Sequence, residues 1–198
     1  MPSAPRRTQA ERRASSMRRL EEAAIQALVD LGVQGATTTE ICKRAGLSQG
    51  ALFQHYPSKS TLLVAAVKRL YGRLAEDLLT HLSDLPDPER VRGAVAMLWR
   101  AFANAEAVAT LELYAASRTD AALRAELSPM LEAHYAELVR AASQVLPPAV
   151  FSNPDYPSIL AITMAAMQGA ATGAVVEGRE PPGLDHHLDF VARLLEGG

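Results

Sequence analysis

The sequence predicts an all-α protein of about nine helices: an N-terminal three-helix head containing a helix-turn-helix, then a C-terminal bundle of about six. Three observations predict it. Ala and Leu dominate while aromatic and β-branched residues are sparse, which favours helix. Apolar residues recur at three- and four-residue spacing along most of the chain. No segment alternates with period two between hairpin turns. Hydrophobic residues make up 48% of the 198 and charged residues 21%, enough for packed cores and outside the range of disordered chains.

Residues 1–12 are rich in Pro, Ser, Arg and Gln and read as a basic arm without fixed structure. Arginine pairs at 6–7, 12–13 and 18–19 fit either a solvated tail or an arm lying along DNA. The first helix carries Leu20, Ala24, Ala27, Leu28 and Leu31 on one stripe and ends at Gly32. Thr37 and Glu40 form a capping box for the second, which Gly46 terminates with Leu47 packing back. Ser48 caps a short third helix, closed by Pro57, which biases Tyr56 away from helical geometry. Ser58 caps a long fourth helix with Leu62, Leu63, Ala66, Val67, Leu70, Leu74, Leu78 and Leu82 on its stripe.

The segment LSDLPDPER is a break, after which Asp87 as cap and Pro88 as first residue start the fifth helix. The sixth covers Glu106 to Ser117. The seventh starts at Asp120 and reaches about Val145, with a kink expected at Pro129. LPPAVFSNPDYP reads as a loop. An almost uncharged eighth helix spans Ser158 to Glu177, and a ninth Leu184 to Glu196.

The stretch from Thr37 to Lys59 carries the function. Ile41, Ala45, Leu52 and Tyr56 face inward, leaving Gln49, Gly50, Ala51, Phe53 and Gln54 near the outward face and the start of the third helix. That end reaches base edges in a helix-turn-helix, so binding to double-stranded DNA is expected. Charge agrees: residues 1–60 hold nine Lys/Arg against five Asp/Glu, the remainder eleven against seventeen.

Other chemistry is not expected. The lone Cys42 excludes an internal disulfide and reads as a small packed residue. His186 and His187, flanked by Asp185 and Asp189, are splayed apart by a helix, so no metal site is expected. No catalytic Ser-His-Asp setting, phosphate-cradling glycine loop or paired-cysteine site is present, so neither an enzyme nor a cofactor is expected. No apolar run is expected to reach transmembrane length and no signal-peptide core is apparent, so the reading is cytoplasmic.

The stretch AIQALVDLGVQGATTTEICKRAGLSQGALFQHYPSKSTLL, residues 24–63, resembles the TetR family of bacterial transcriptional regulators. A helix ending in Gly, the Thr-rich cap, the AGLS turn, the short recognition helix and the PSK start of the next helix carry the resemblance. It implies a DNA-binding domain at 13–60 and an effector-binding and dimerisation domain at 61–198. It also implies that Thr37, Thr38, Ser48, Phe53, His55 and Lys59 touch the DNA backbone and that Thr39, Gln49 and Ala51 meet bases. Gly50 permits close approach. Gln chemistry suits adenine N6 and N7, and a Thr or Ala methyl suits the thymine methyl.

This chain departs from the family at Phe53, where Tyr is usual, at Gln49, where a basic residue is common, at Tyr56, where Phe is usual, and at Cys42, where Ala is usual. The resemblance further implies a homodimer through the last two helices, with Ala165, Gly169, Ala170, Gly173, Leu188, Val191 and Leu195 at the interface. It implies a small-molecule effector pocket, for which Trp99, Phe102, Tyr114, Arg118, His134, Met164 and Gln168 are candidates. The resulting expectation is a repressor on a palindromic operator, released by a small apolar effector. The alternative is a DNA-binding protein of architectural or protein-partner-controlled type.

Overall fold

The computed structural model describes residues 8–197, which form ten α-helices and, among the described residues, no strand. In order they are α1 (Gln9–Gly35), α2 (Thr38–Ala45), α3 (Gln49–Phe53), α4 (Lys59–Ser83) and α5 (Asp87–Phe102). There follow α6 (Ala105–Ser117), α7 (Ala121–Val145), α8 (Pro148–Ser152), α9 (Tyr156–Glu177) and α10 (Leu184–Glu196). They divide between two compact units. The first comprises the described residues up to Arg69 together with Glu112–Met130; the second comprises Leu70–Leu111 and the described residues from Leu131 on. The division is therefore not the single cut near residue 60 that the sequence suggests.

In the first unit, α1 opens with a reciprocal capping box. Thr8 Oγ1 accepts from the Glu11 amide at 3.2 Å and the Glu11 carboxylate accepts from the Thr8 amide at 2.8 Å. Residues 9–12, expected to lack fixed structure, are thus helical, because a cap precedes them; residues 1–7 of the expected arm lie outside the described residues. Leu20, Ala23, Ala24, Ala27 and Leu28 form the buried stripe. Leu31 does not join it and stays 47% exposed. Gly32, at φ 65°, interrupts the helix one residue later, and Leu31 lies against Gly35 of the following turn.

Thr37 caps α2 as predicted, accepting from the Glu40 amide at 3.2 Å. The return bond of a capping box is not formed, because the Glu40 carboxylate is drawn to Arg44 Nε at 2.9 Å. Gly46 takes the left-handed conformation (φ 60°, ψ 40°), and the Leu47 amide reaches back to the Cys42 carbonyl at 3.0 Å, closing a Schellman end. Ser48 caps α3 through the Ala51 amide at 3.1 Å. Ile41, Ala45, Leu52, Leu62, Leu63, Ala66 and Val67 complete the core, with Cys42 packed among them and its thiol pushed up by burial.

The second unit is organised around α5, which packs on both α9 and α10. Val91, Val95, Leu98 and Trp99 of α5 meet Leu160, Met167 and Ala171 of α9 and Leu188, Ala192 and Leu195 of α10. Helix α5 begins at Asp87, not after it. Pro86 is the capping residue without a side-chain bond, and the Asp87 carboxylate pairs with Arg90 at 2.7 Å instead. Arg90 Nε in turn donates to the carbonyls of Leu82 and Leu85, fixing the preceding bend. The expected loop after α7 contains the five-residue α8, started by Pro148 and anchored by Val150, 1% exposed.

Helix α9 overturns one expectation. By length and composition it is long and apolar enough to cross a membrane, with a mean hydropathy of 1.7. Its apolarity comes mostly from Ile159, Leu160, Ile162, Met164, Met167, Val175 and Val176, with alanines filling most of the positions between them. One side, Leu160, Thr163, Met167 and Ala171, lies in the core of the unit.

Candidate nucleic-acid interface

The first turns of α2 and α3 come together to expose the residues expected to meet DNA. Thr37, Thr39, Ser48, Gln49 and Gly50 are exposed; Thr38 and Ala51 are half-buried; Phe53 is 49% exposed. Gln49 and Thr39, ten residues apart, are directly bonded: Gln49 Nε2 donates to Thr39 Oγ1 at 2.7 Å. The small residues Gly50 and Ala51 leave the start of α3 unobstructed.

Two expected phosphate residues sit deeper than the sequence suggests. Lys59 is half-buried, and its ammonium donates to the Val33 carbonyl at 2.7 Å. Burial also lowers its pKa. The Lys59 charge therefore serves the end of α1, where Gly32 has broken the helix and left the carbonyl without a helical donor. His55 is half-buried, and its Nδ1 is buried without a hydrogen-bond partner among the described residues.

Tyr56 faces inward as expected, but several contacts that hold this surface in place were not foreseen. Tyr56, 3% exposed, donates its hydroxyl to Glu21 Oε1 at 2.6 Å, and Glu21 lies 3.7 Å from Arg69. Burial first, then the Glu21 carboxylate, pushes the Tyr56 phenol far above its ordinary value. Tyr in place of Phe was the available signal, since a buried hydroxyl requires a partner. Arg19 braces the turn by donating to the Gly46 carbonyl at 3.4 Å. Arg44 pairs with Asp30 of α1 as well as with Glu40, and both acids raise its pKa. From α6, Glu112 accepts from the Val33 amide at 3.3 Å.

The other expected site residues are distributed as follows. Tyr114, half-buried, and Arg118, exposed, belong to the first unit; Trp99, Phe102, His134, Met164 and Gln168 belong to the second. Trp99 is a core residue, with Phe102 and Met164 packed against the same core. His134 stacks on Tyr71 with ring centroids 4.3 Å apart and 22° between planes, and burial lowers its pKa. Gln168 is half-buried.

Among the residues expected at a dimer interface, Ala165 and Gly169 are exposed, and Ala170, Gly173 and Val191 are half-buried. Leu188 and Leu195 instead lie in the core of their own unit, at 5% and 6% exposure. The stripe that carries them is the one α10 turns toward α5. Large apolar residues that do face outward are Ile162, Val175 and Val176 on α9 and Phe190 on α10. His186 and His187 of α10 hold their rings 6.4 Å apart at 80°, with His187 Nδ1 against the Gly183 carbonyl.

Comparison with known proteins accords with this geometry. The family described as bacterial regulatory proteins, tetR family, matches residues 20–66. An uncharacterized HTH-type transcriptional regulator of Mycobacterium tuberculosis is 30% identical over 196 residues, covering 97% of this chain and 98% of that one. A TetR-family transcriptional regulator from Rhodococcus sp. superposes with a TM-score of 0.68 at 18% identity, covering 91% of this chain and 98% of that one. FadR of Bacillus subtilis, a transcriptional regulator solved in complex with stearoyl-CoA, gives 0.68 at 16% identity, with coverage of 91% and 98%. These proteins are transcriptional regulators rather than enzymes. With a helix-turn-helix capped and exposed at the expected residues, and a relative matched over nearly its whole length, the chain belongs to the TetR family of DNA-binding transcriptional regulators.

Proposed function

We propose that the protein is a repressor that binds a roughly palindromic operator as a homodimer in the cytoplasm and is released by a small apolar effector. The observation that carries the DNA-reading part is the exposed pairing of Thr39 and Gln49 where α2 and α3 begin. Polar hydrogen-bonding groups at a helix start, flanked by small residues, suit entry into a major groove. Pairing of two chains is supported by α9, where Ile162 is 70% and Val176 83% exposed with Ala165, Ala166 and Gly169 between them. Such a ridge lets two helices approach closely and bury apolar surface. Two copies would then present two recognition helices to successive turns of DNA, and an operator of matching symmetry follows.

Release by an apolar effector is supported by the second unit's Leu- and Val-rich interior, which also holds Trp99, and by FadR of Bacillus subtilis, whose fold is described with stearoyl-CoA, a ligand with a long apolar chain, bound. Such release requires that the effector favour one conformation over the other. Mobility shift with the DNA upstream of the protein's own gene, combined with thermal shift against a panel of apolar ligands, tests the reading. A specific complex weakened by a stabilising ligand is expected. Specific DNA binding with no stabilising ligand would favour control by a protein partner, for which the exposed α9 ridge is equally suited.

A further inference from the structure

We propose that Thr39 does not read a base by itself but sets the Gln49 amide, so that the two act as one adenine reader. The inference rests on the DNA-reading role proposed above. A glutamine amide carries two N–H donors on Nε2 and one acceptor, Oε1. One donor is occupied by Thr39 Oγ1 at 2.7 Å. What remains is one donor and the acceptor, side by side, which is the set that adenine N7 and its N6 amino group require.

Both residues are exposed, so an unbraced Gln49 would sample many rotamers before meeting DNA. Thr39 removes part of that freedom in advance, which favours the bound geometry over its competitors. Its neighbours on α3 add no second brace, since Gly50 has no side chain and Ala51 has only a methyl. Thr39 is accordingly a positioning residue, where the family resemblance taken alone makes it an independent base contact.

The test uses the full-length protein and an operator duplex obtained by selecting bound fragments from random DNA, with each base pair of one half-site then substituted in turn. Q49A should relax the preference at one base pair by roughly tenfold or more. T39V and T39A should relax the preference at that same base pair by roughly three- to tenfold, and T39S, which keeps the hydroxyl, should retain it. In the T39V/Q49A double variant the loss should equal that of Q49A alone. All five should keep the parent's salt dependence, because no phosphate contact is removed. The proposal is overturned if T39V shifts the preference at a different base pair, or if the two losses multiply in the double variant. An unchanged preference at every position in Q49A overturns it for a different reason, by removing Gln49 from the bases altogether.

Discussion

Tyr56 carries a hydroxyl into the core of the first unit, and its value to the protein can be measured directly. The hydroxyl donates to a carboxylate whose side chain is only 13% exposed, and the other partner of that carboxylate, Arg69, is more distant at 3.7 Å. Tyr56→Phe should therefore lower stability by about 1.5–3 kcal/mol, the range for a hydrogen bond to a charged group, read as a shift in the urea unfolding midpoint. His134 makes a second prediction. Burial depresses its pKa below the ordinary 6.5, so the native state favours neutral imidazole. As pH falls below about 6.5 the unfolded chain takes up a proton first, and stability is lost until the folded value is passed. His134→Phe, which can keep the stack on Tyr71, should remove that part of the slope in a pH series of thermal unfolding.

At the scale of the element, the caps were legible because their chemistry is local. Thr37, Ser48 and Gly46 each do what their residue type and spacing require, and Thr37→Ala should cost about 1 kcal/mol by urea titration. Glu40→Gln should leave that cap in place, because the Glu40 carboxylate serves Arg44. What spacing leaves open is which of two local partners an acid takes. Glu40 could return to the Thr37 amide or reach Arg44 one turn on, and Asp87 could cap α5 or pair with Arg90; in both cases the arginine takes it. The same holds for the amphipathic helices. Leu184, Leu188, Val191 and Leu195 share one face of α10 by their spacing, yet periodicity does not say whether that face meets the same chain or another. The Thr39–Gln49 bond was also hidden: its two ends were each marked as DNA contacts, and only the turn between α2 and α3 brings them together.

For the whole molecule, the exposed ridge of α9 gives the sharpest prediction. Val176→Glu together with Ile162→Glu places two charges where an apolar partner helix is proposed. The native mass by light scattering should fall to that of one chain, and operator affinity should drop by roughly a hundredfold as the two heads lose their linkage. Helix content by circular dichroism should be unchanged, since both side chains lie outside the core. A variant that remained dimeric would move the interface away from α9.

The grip on Val33 has a consequence for how the chain is made. Its carbonyl is held by Lys59 and its amide by Glu112, so the first unit closes on a residue synthesised 79 positions later. A nascent chain that has only just passed α4 still lacks Glu112–Met130, a segment that belongs to the compact unit. The contacts of the first unit are therefore complete only once Leu70–Leu111 of the second unit has been translated. Release of an incomplete chain would leave the recognition helix on a scaffold with one of its fastenings missing.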